Sequence, residues 1–337
     1  MNSELQQIAQ RRRLSVVGVA KNCGKTTTLN SLLGVRRAMG LAPPGLMSIG
    51  VDGEAEDALL GTDKPSIFVD VDQWVVSAGR ALDRSTARFE YVRSLGLETP
   101  LGEVFVCRVV DEGTAVLAGL RQRSDAVSAV RALEQLGGGP VWIDGAYGRC
   151  IGAHPDVATD IVVATGAVAG DSLTEVVDET DAMMQRLRLP RCAGDDHQSV
   201  IDEAIEIDRP VVVDDDGNRR PLAVSSAILG LGELVDARGE LRVIAIPGLV
   251  SDRVVEELLQ LRGRPAIVAH NWTSFHCSNR LWSQLRTRHP VAVGAPVRPV
   301  GLSYNPTSIG GSGVDARRLH QALEECTDDI PVFESLQ

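Results

Sequence analysis

Between residues 16 and 28 the chain reads Val-Val-Gly-Val-Ala-Lys-Asn-Cys-Gly-Lys-Thr-Thr-Thr. That is an apolar strand, a short loop closed by Gly-Lys-Thr, and the start of a helix, an order that suits a nucleoside triphosphate. Gly18 and Gly24 let main-chain N–H groups close around phosphate oxygens, and the first helical turn adds unpaired N–H groups and the positive end of its dipole. Lys25 then reaches the β- and γ-phosphates and Thr26 a magnesium ion. Gly18, Lys21, Asn22, Cys23, Gly24, Lys25, Thr26 and Thr27 are therefore the expected nucleotide contacts in this loop.

Lysine is scarce: Lys21, Lys25 and Lys64 are the only lysines among 34 basic residues, and two of the three lie in this loop. A compact ammonium fits among phosphates where a wide, planar guanidinium does not. The phosphate reading is preferred over a chance glycine-rich turn. The strict motif has four residues between its first glycine and Gly-Lys-Thr, but that first position here is Val19, and five residues separate Gly18 from Gly24. A loop of this length resembles dethiobiotin synthetase and its relatives rather than the small GTPases.

Such a loop has to be held by a sheet and a helix. Residues 14–20 read as a buried strand and 26–39 as a helix with Leu29, Leu32 and Leu33 on its inner face, ended by Gly40. A second strand, 46–51, carries Asp52 and Glu54 past its far end, and the buried run Pro140-Val-Trp-Ile-Asp144-Gly145 delivers another carboxylate. In an open parallel sheet the residues just past the carboxyl ends of the strands line the ligand crevice. Thr26, Asp144 and Asp52 are thus the expected magnesium ligands, directly or through water. Asp52, with Glu54 as second choice, is expected to orient the attacking water beside Lys25. A further buried strand, 160–165, leads into a loop in which Thr165 and Gly166 approach the base or ribose. The chain has no Asn-Lys-x-Asp segment of the kind that reads guanine, which favours ATP over GTP.

Other stretches read as supporting elements: 66–76 as a strand, 79–95 as a helix, 104–118 as a hairpin turning at Asp111-Glu112-Gly113, and 124–136 as a helix capped by Ser124. An amphipathic helix is expected over 172–187, and a composition shift at 191–198 suggests a loop or boundary. The acidic triplet Asp214-Asp215-Asp216 reads as a solvated turn. From 241 onward strands and helices alternate, the rhythm of parallel strands covered by helices. The expected fold is α/β: a P-loop nucleotide-binding domain over 10–192, mostly parallel sheet with helices on both faces, and a C-terminal α/β region over 199–337 that is either a separate domain or an extension of the same sheet.

A chain of 337 residues with 44% hydrophobic and 23% charged content can bury a large core. A net charge of −11 argues against a general nucleic-acid binder, and Arg11-Arg12-Arg13 reads as the solvated flank of the first strand. The longest strongly apolar run, 161–170, is too short to span a bilayer, and the N-terminus lacks a signal-peptide core. Six scattered cysteines with no close pair point to a reduced, cytoplasmic protein. His270, His276 and Cys277 lack a spacing suited to metal binding. Tyr304-Asn305-Pro306-Thr307 is either a partner or substrate loop or an ordinary turn.

The loop from Gly18 to Asn30, the stretch Ser48-Ile-Gly-Val-Asp52-Gly-Glu54, Ile143-Asp144-Gly145-Ala146, Ala164-Thr165-Gly166-Ala167, and Asn305-Pro306-Thr307 with Ile330-Pro331-Val332-Phe333 together resemble the P-loop reactivase subunits associated with lysine 5,6-aminomutase. The resemblance runs through most of the chain. It implies an ATPase that uses nucleotide binding and hydrolysis to open a cobalamin- and pyridoxal-phosphate-dependent aminomutase and let spent cobalamin leave. This chain itself shows no cobalamin motif. By analogy with related dimeric ATPases, Lys21 adds a second positive charge across a homo- or hetero-oligomer. Two other classes compete: an ATP-dependent small-molecule ligase or kinase of the dethiobiotin synthetase type, and a nucleotide-gated regulatory or binding protein in which the Asp52 loop is a switch.

Overall fold

The structure, a computed structural model, describes residues 3–49, 66–145, 151–223, 241–307, 313–327 and 329–335. It divides into two compact units, Met1–Asp181 with Arg298–Gln337, and Ala182–Val297. The last forty residues therefore return to the first unit, and the second is an insertion between them and the rest. The sequence left open whether the C-terminal third extends the first sheet or builds another. The strands at 241–246, 266–269 and 291–293 belong to a separate sheet, and those at 298–305 and 332–334 to the first.

In the first unit the chain forms α1 (Ser3–Ile8), β1 (Arg13–Gly18), α2 (Lys25–Ala38), β2 (Gly45–Ser48), β3 (Ile67–Val69), β4 (Trp74–Ala78), α3 (Gly79–Leu82), β5 (Arg88–Thr99), β6 (Gly102–Asp111), β7 (Gly113–Ala115), α4 (Arg123–Gly137), β8 (Val141–Asp144), β9 (Asp160–Gly166) and α5 (Leu173–Leu187). The second unit takes over in the last turns of α5. It adds α6 (Gly194–Ile207), β10 (Val211–Asp214), β11 (Arg219–Pro221), β12 (Leu241–Ile246), β13 (Val250–Ser251), α7 (Asp252–Leu259), β14 (Ala266–Ala269), β15 (Phe275–His276), α8 (Asn279–Arg288) and β16 (Val291–Val293). The chain returns as β17 (Arg298–Asn305), α9 (Ala316–Thr327) and β18 (Val332–Glu334).

The first unit is built on a nine-stranded sheet in the order β18-β17-β9-β1-β8-β2-β4-β6-β5. From β18 to β4 every pairing is parallel, and β6 and β5 close one side with antiparallel pairings. Central parallel strands must be apolar on both faces, and β2, β8 and β9 are buried along their whole length. Helix α2 packs Leu29, Leu32 and Leu33 into this core, as its spacing required. Its last turn is held by Arg36, which donates to the carbonyls of Ala42 and Ala9, each at 2.6 Å. Those two bonds tie the end of α2 to the segment that follows it and to the residue just after α1.

Several elements depart from the sequence reading. The helix expected over 79–95 stops at Leu82, and β5 follows. Phe89, Tyr91 and Val92 favour extended backbone, and Tyr91 meets Phe105 of β6 edge-on at 5.1 Å. The hairpin expected over 104–118 does not form, because both edges of β6 are taken by β4 and β5, and β7 pairs with β3 instead. The strand expected over 66–76 breaks into β3 and β4 at a turn where Asp72 takes a left-handed φ of 64° and Gln73 donates its N–H to Asp70. Helix α4 is capped by Gln122 rather than Ser124, through a reciprocal bond pair with Asp125. The loop expected over 191–198 is already helical from Gly194.

The second unit has a five-stranded sheet in the order β11-β10-β12-β14-β16. Strands β12, β14 and β16 run parallel, joined through α7 and α8, and β10 and β11 add an antiparallel hairpin. The 214–218 segment is the turn of that hairpin, where both oxygens of Asp214 accept bonds from Asn218. The core gathers Val200, Ile201, Val211, Val243 and Val268. Among the described residues no helix is long and apolar enough to cross a membrane.

Candidate functional site

Strand β1 delivers Gly18 to the carboxyl edge of the sheet, where it pairs with Ala164 of β9. The loop turns there because Gly18 has no side chain: a Cβ would come within 2.6 Å of the Cys23 sulfur and 2.9 Å of Lys25 Cδ. This close approach makes Gly18, one residue ahead of the strict motif's position, the first glycine of the loop. Asn22 and Gly24 both take left-handed backbone, with φ of 61° and 91°, conformations that these two residue types tolerate best. Cys23 lies buried beneath the loop and donates its thiol to the Ala164 carbonyl at 3.1 Å. This bond to β9 was not legible in the sequence.

Lys25 and Thr26 open helix α2, and Thr27 is half-buried in its first turn. The Lys25 ammonium crosses the loop and donates to the Ala20 carbonyl at 3.3 Å. Lys21 and Asn22 stand exposed on the loop's outer side. The buried Thr26 hydroxyl lies 3.4 Å from Oδ2 of Asp144, itself only 4% exposed at the carboxyl end of β8. Strands β1 and β8 are direct neighbours with Val16 opposite Asp144, so the juxtaposition follows from sheet order.

Thr165 does not face this loop. Its hydroxyl is buried and bonds Thr180 of α5 at 2.7 Å, and Thr180 in turn donates to the Val176 carbonyl. The Thr165 side chain thus ties β9 to α5. Gly166 is required by the close approach of β17, since a Cβ there would strike the Asn305 carbonyl. Beyond it, Ala167 to Asp171, Glu175, Gly313 and Val314 line a cavity of about 520 Å³. Asp52 and Glu54, and Ala146 after Asp144, lie outside the described residues.

The sequence reading missed what supports the loop from the C-terminal strands. Thr28 shares a bond of 2.6 Å with Ser303 of β17, and a Cβ on Gly24 would lie 3.2 Å from the Ser335 hydroxyl and 3.6 Å from Asn305 Cβ. The one hint was the Asn305-Pro306-Thr307 segment, whose place beside the loop depends on β17 joining β9 across an inserted unit. In the structure Asn305 Oδ1 accepts from the N–H and hydroxyl of Thr307, holding that turn.

The residues present suit a triphosphate with its magnesium ion: a glycine-cornered loop, a helix start, a lysine crossing the loop, and a hydroxyl beside a buried carboxylate. Comparison with protein-family models, with curated proteins and with solved structures returned no match. The architecture is α/β with a large, mostly parallel sheet, and the assignment of a function rests on the chain's own residues.

Proposed function

We propose that this protein is a magnesium-dependent nucleoside triphosphatase of the P-loop class, with ATP as its nucleotide. The observation that carries the reading is the loop from Gly18 to Thr26, set between a buried parallel strand and a helix with the Thr26 hydroxyl 3.4 Å from Asp144. Main-chain N–H groups of the loop hold the phosphates, and Lys25 exchanges the Ala20 carbonyl for phosphate oxygens. Thr26 and Asp144, with Asp52, would hold magnesium, which neutralises charge on the phosphate oxygens. Asp52 or Glu54 orients the attacking water. The resemblance noted above supports a client: a cobalamin- and pyridoxal-phosphate-dependent aminomutase that this ATPase reactivates. The five residues between Gly18 and Gly24 favour a second reading, an ATP-dependent ligase or kinase acting on a small metabolite.

The deciding experiment measures ATP turnover by the purified chain alone, with an inactivated aminomutase, and with candidate metabolites. Stimulation by the aminomutase supports the reactivase reading; stimulation by a metabolite that leaves as product supports the ligase. Lys25→Ala is expected to abolish binding and turnover, and retention of both would overturn the phosphate-loop reading itself.

A further inference from the structure

Gly24 is the last residue before α2, and its peptide with Lys25 has one end in the helix and the other in the loop. Its carbonyl accepts two bonds from Thr28, from the N–H at 2.8 Å and from the hydroxyl at 2.9 Å. A trans peptide is planar with its C=O and N–H pointing opposite ways. Fixing the Gly24 carbonyl along the helix therefore aims the Lys25 N–H out of the helix into the loop, the direction from which a phosphate would arrive.

The Thr28 hydroxyl is not left to choose its own orientation. It is fully buried and lies 2.6 Å from the Ser303 hydroxyl of β17, which is also fully buried. The alternative acceptor for Ser303, the Val163 carbonyl, is at 3.4 Å, so the short bond to Thr28 is the stronger. Thr28 has one proton, and giving it to Gly24 leaves its lone pairs to accept from Ser303. The outer side of Gly24 is closed by Ser335 and Asn305, and the Ser335 hydroxyl donates to the Tyr304 carbonyl at 3.2 Å.

We propose that Thr28 and Ser303 are positioning residues of the phosphate site: a Ser303–Thr28–Gly24 chain of hydrogen bonds presets the Gly24–Lys25 peptide plane for phosphate binding. It follows that β17, the strand by which the chain returns from the inserted unit, controls the affinity of a loop nearly three hundred residues earlier. The inference rests on the phosphate-binding reading of residues 18–26.

The test is calorimetric titration of the full-length chain with magnesium-ATP and with inorganic tripolyphosphate, beside thermal unfolding of each variant. Thr28→Val keeps the shape and removes the hydroxyl; it is expected to weaken both ligands about tenfold, the worth of one lost buried hydrogen bond. Thr28→Ser keeps the hydroxyl and should stay within about twofold of the wild type, and Ser303→Ala should fall between them. Thr28→Val with Ser303→Ala should be no weaker than Thr28→Val alone, because both changes break one chain. Unchanged affinity in Thr28→Val, with Lys25→Ala abolishing binding, overturns the positioning role and leaves the phosphate site standing. Full binding by Lys25→Ala overturns both.

Discussion

The Thr26 hydroxyl and the Asp144 carboxylate stand 3.4 Å apart although 118 positions separate them in the chain. Asp144 ends β8, Thr26 lies in the first turn of the helix that follows β1, and the adjacency of β1 and β8 brings the two segments together. On the proposed phosphate-binding reading, a hydroxyl beside a buried carboxylate at the mouth of the glycine-cornered loop suits a hydrated divalent cation bound jointly with phosphate. Asp144→Asn keeps the hydrogen-bonding shape and removes the charge. It is expected to lower turnover about 100-fold and to raise the magnesium concentration needed for half-maximal rate, with a smaller effect on nucleotide affinity without metal. Turnover measured against magnesium concentration decides it, and an unchanged magnesium requirement would remove Asp144 from the metal site.

Arg13 at the start of β1 makes a two-pronged pair with Glu134 of α4, both contacts at 2.7 Å. The Arg13 bond holds the Glu134 carboxyl below its ordinary value of 4.5, against a smaller opposing effect of burial. A carboxylate with a depressed folded-state pKa stabilises above its unfolded value, and that contribution fades as pH falls through the folded value. Both side chains are about one-third exposed, so the pair contributes no more than about 1 kcal/mol. Glu134→Gln should therefore lower the urea midpoint at pH 7 and match the wild type once the pH is low enough to protonate Glu134 in the folded chain. A gap that persists in acid would mean that the loss is one of packing rather than charge.

Much of the fold was legible because its central strands are short apolar runs ended by glycine or aspartate. The run from Gly18 to Thr27 was legible as a loop between a buried strand and a helix, since it is one contiguous stretch. The direction of the Thr165 side chain was not legible for a physical reason: alternation along β9 sends it to α5, and a single sequence does not say which face of a doubly covered strand meets which helix. Ser303 and Ser335 were invisible because their position depends on β17 rejoining β9 after the insertion. The stretch 79–95 departs from the expected helix beyond Leu82, where Phe89, Tyr91 and Val92 favour extended backbone and β5 pairs with β6.

Gly166 of β9 lies opposite Asn305 of β17, so tightly that a methyl group would strike the Asn305 carbonyl. The contact is backbone on both sides, and neither strand can withdraw without breaking the parallel pairing that holds it. Gly166→Ala is accordingly expected to cost about 1–3 kcal/mol, the range for forcing a methyl into filled space. Because β17 also carries Ser303, the variant should bind magnesium-ATP more weakly as well. Thermal unfolding and titration of one preparation check both effects, and wild-type stability would show that the two strands separate more freely than their register implies.

His289 is buried in the second unit, with Nε2 facing the Leu258 carbonyl at 3.0 Å and Nδ1 facing the Pro265 carbonyl at 3.2 Å. Burial is the largest influence and pulls its pKa below 6.5; Arg288 and Arg264 push the same way, and the two carbonyls push back. The folded chain thus binds this proton less readily than the unfolded chain. The stability that depends on a neutral ring is complete above about pH 6.5 and is lost as the pH falls from there through the lowered folded value. His289→Gln removes the titration and retains a donor and an acceptor. At pH 7.5 the wild type should be the more stable of the two by urea unfolding, and the difference should shrink on going to pH 5.5 by at most about 1.4 kcal/mol per pH unit. An equal difference at both values would show that His289 takes up its proton without opening the folded unit, with the Leu258 and Pro265 carbonyls as its acceptors.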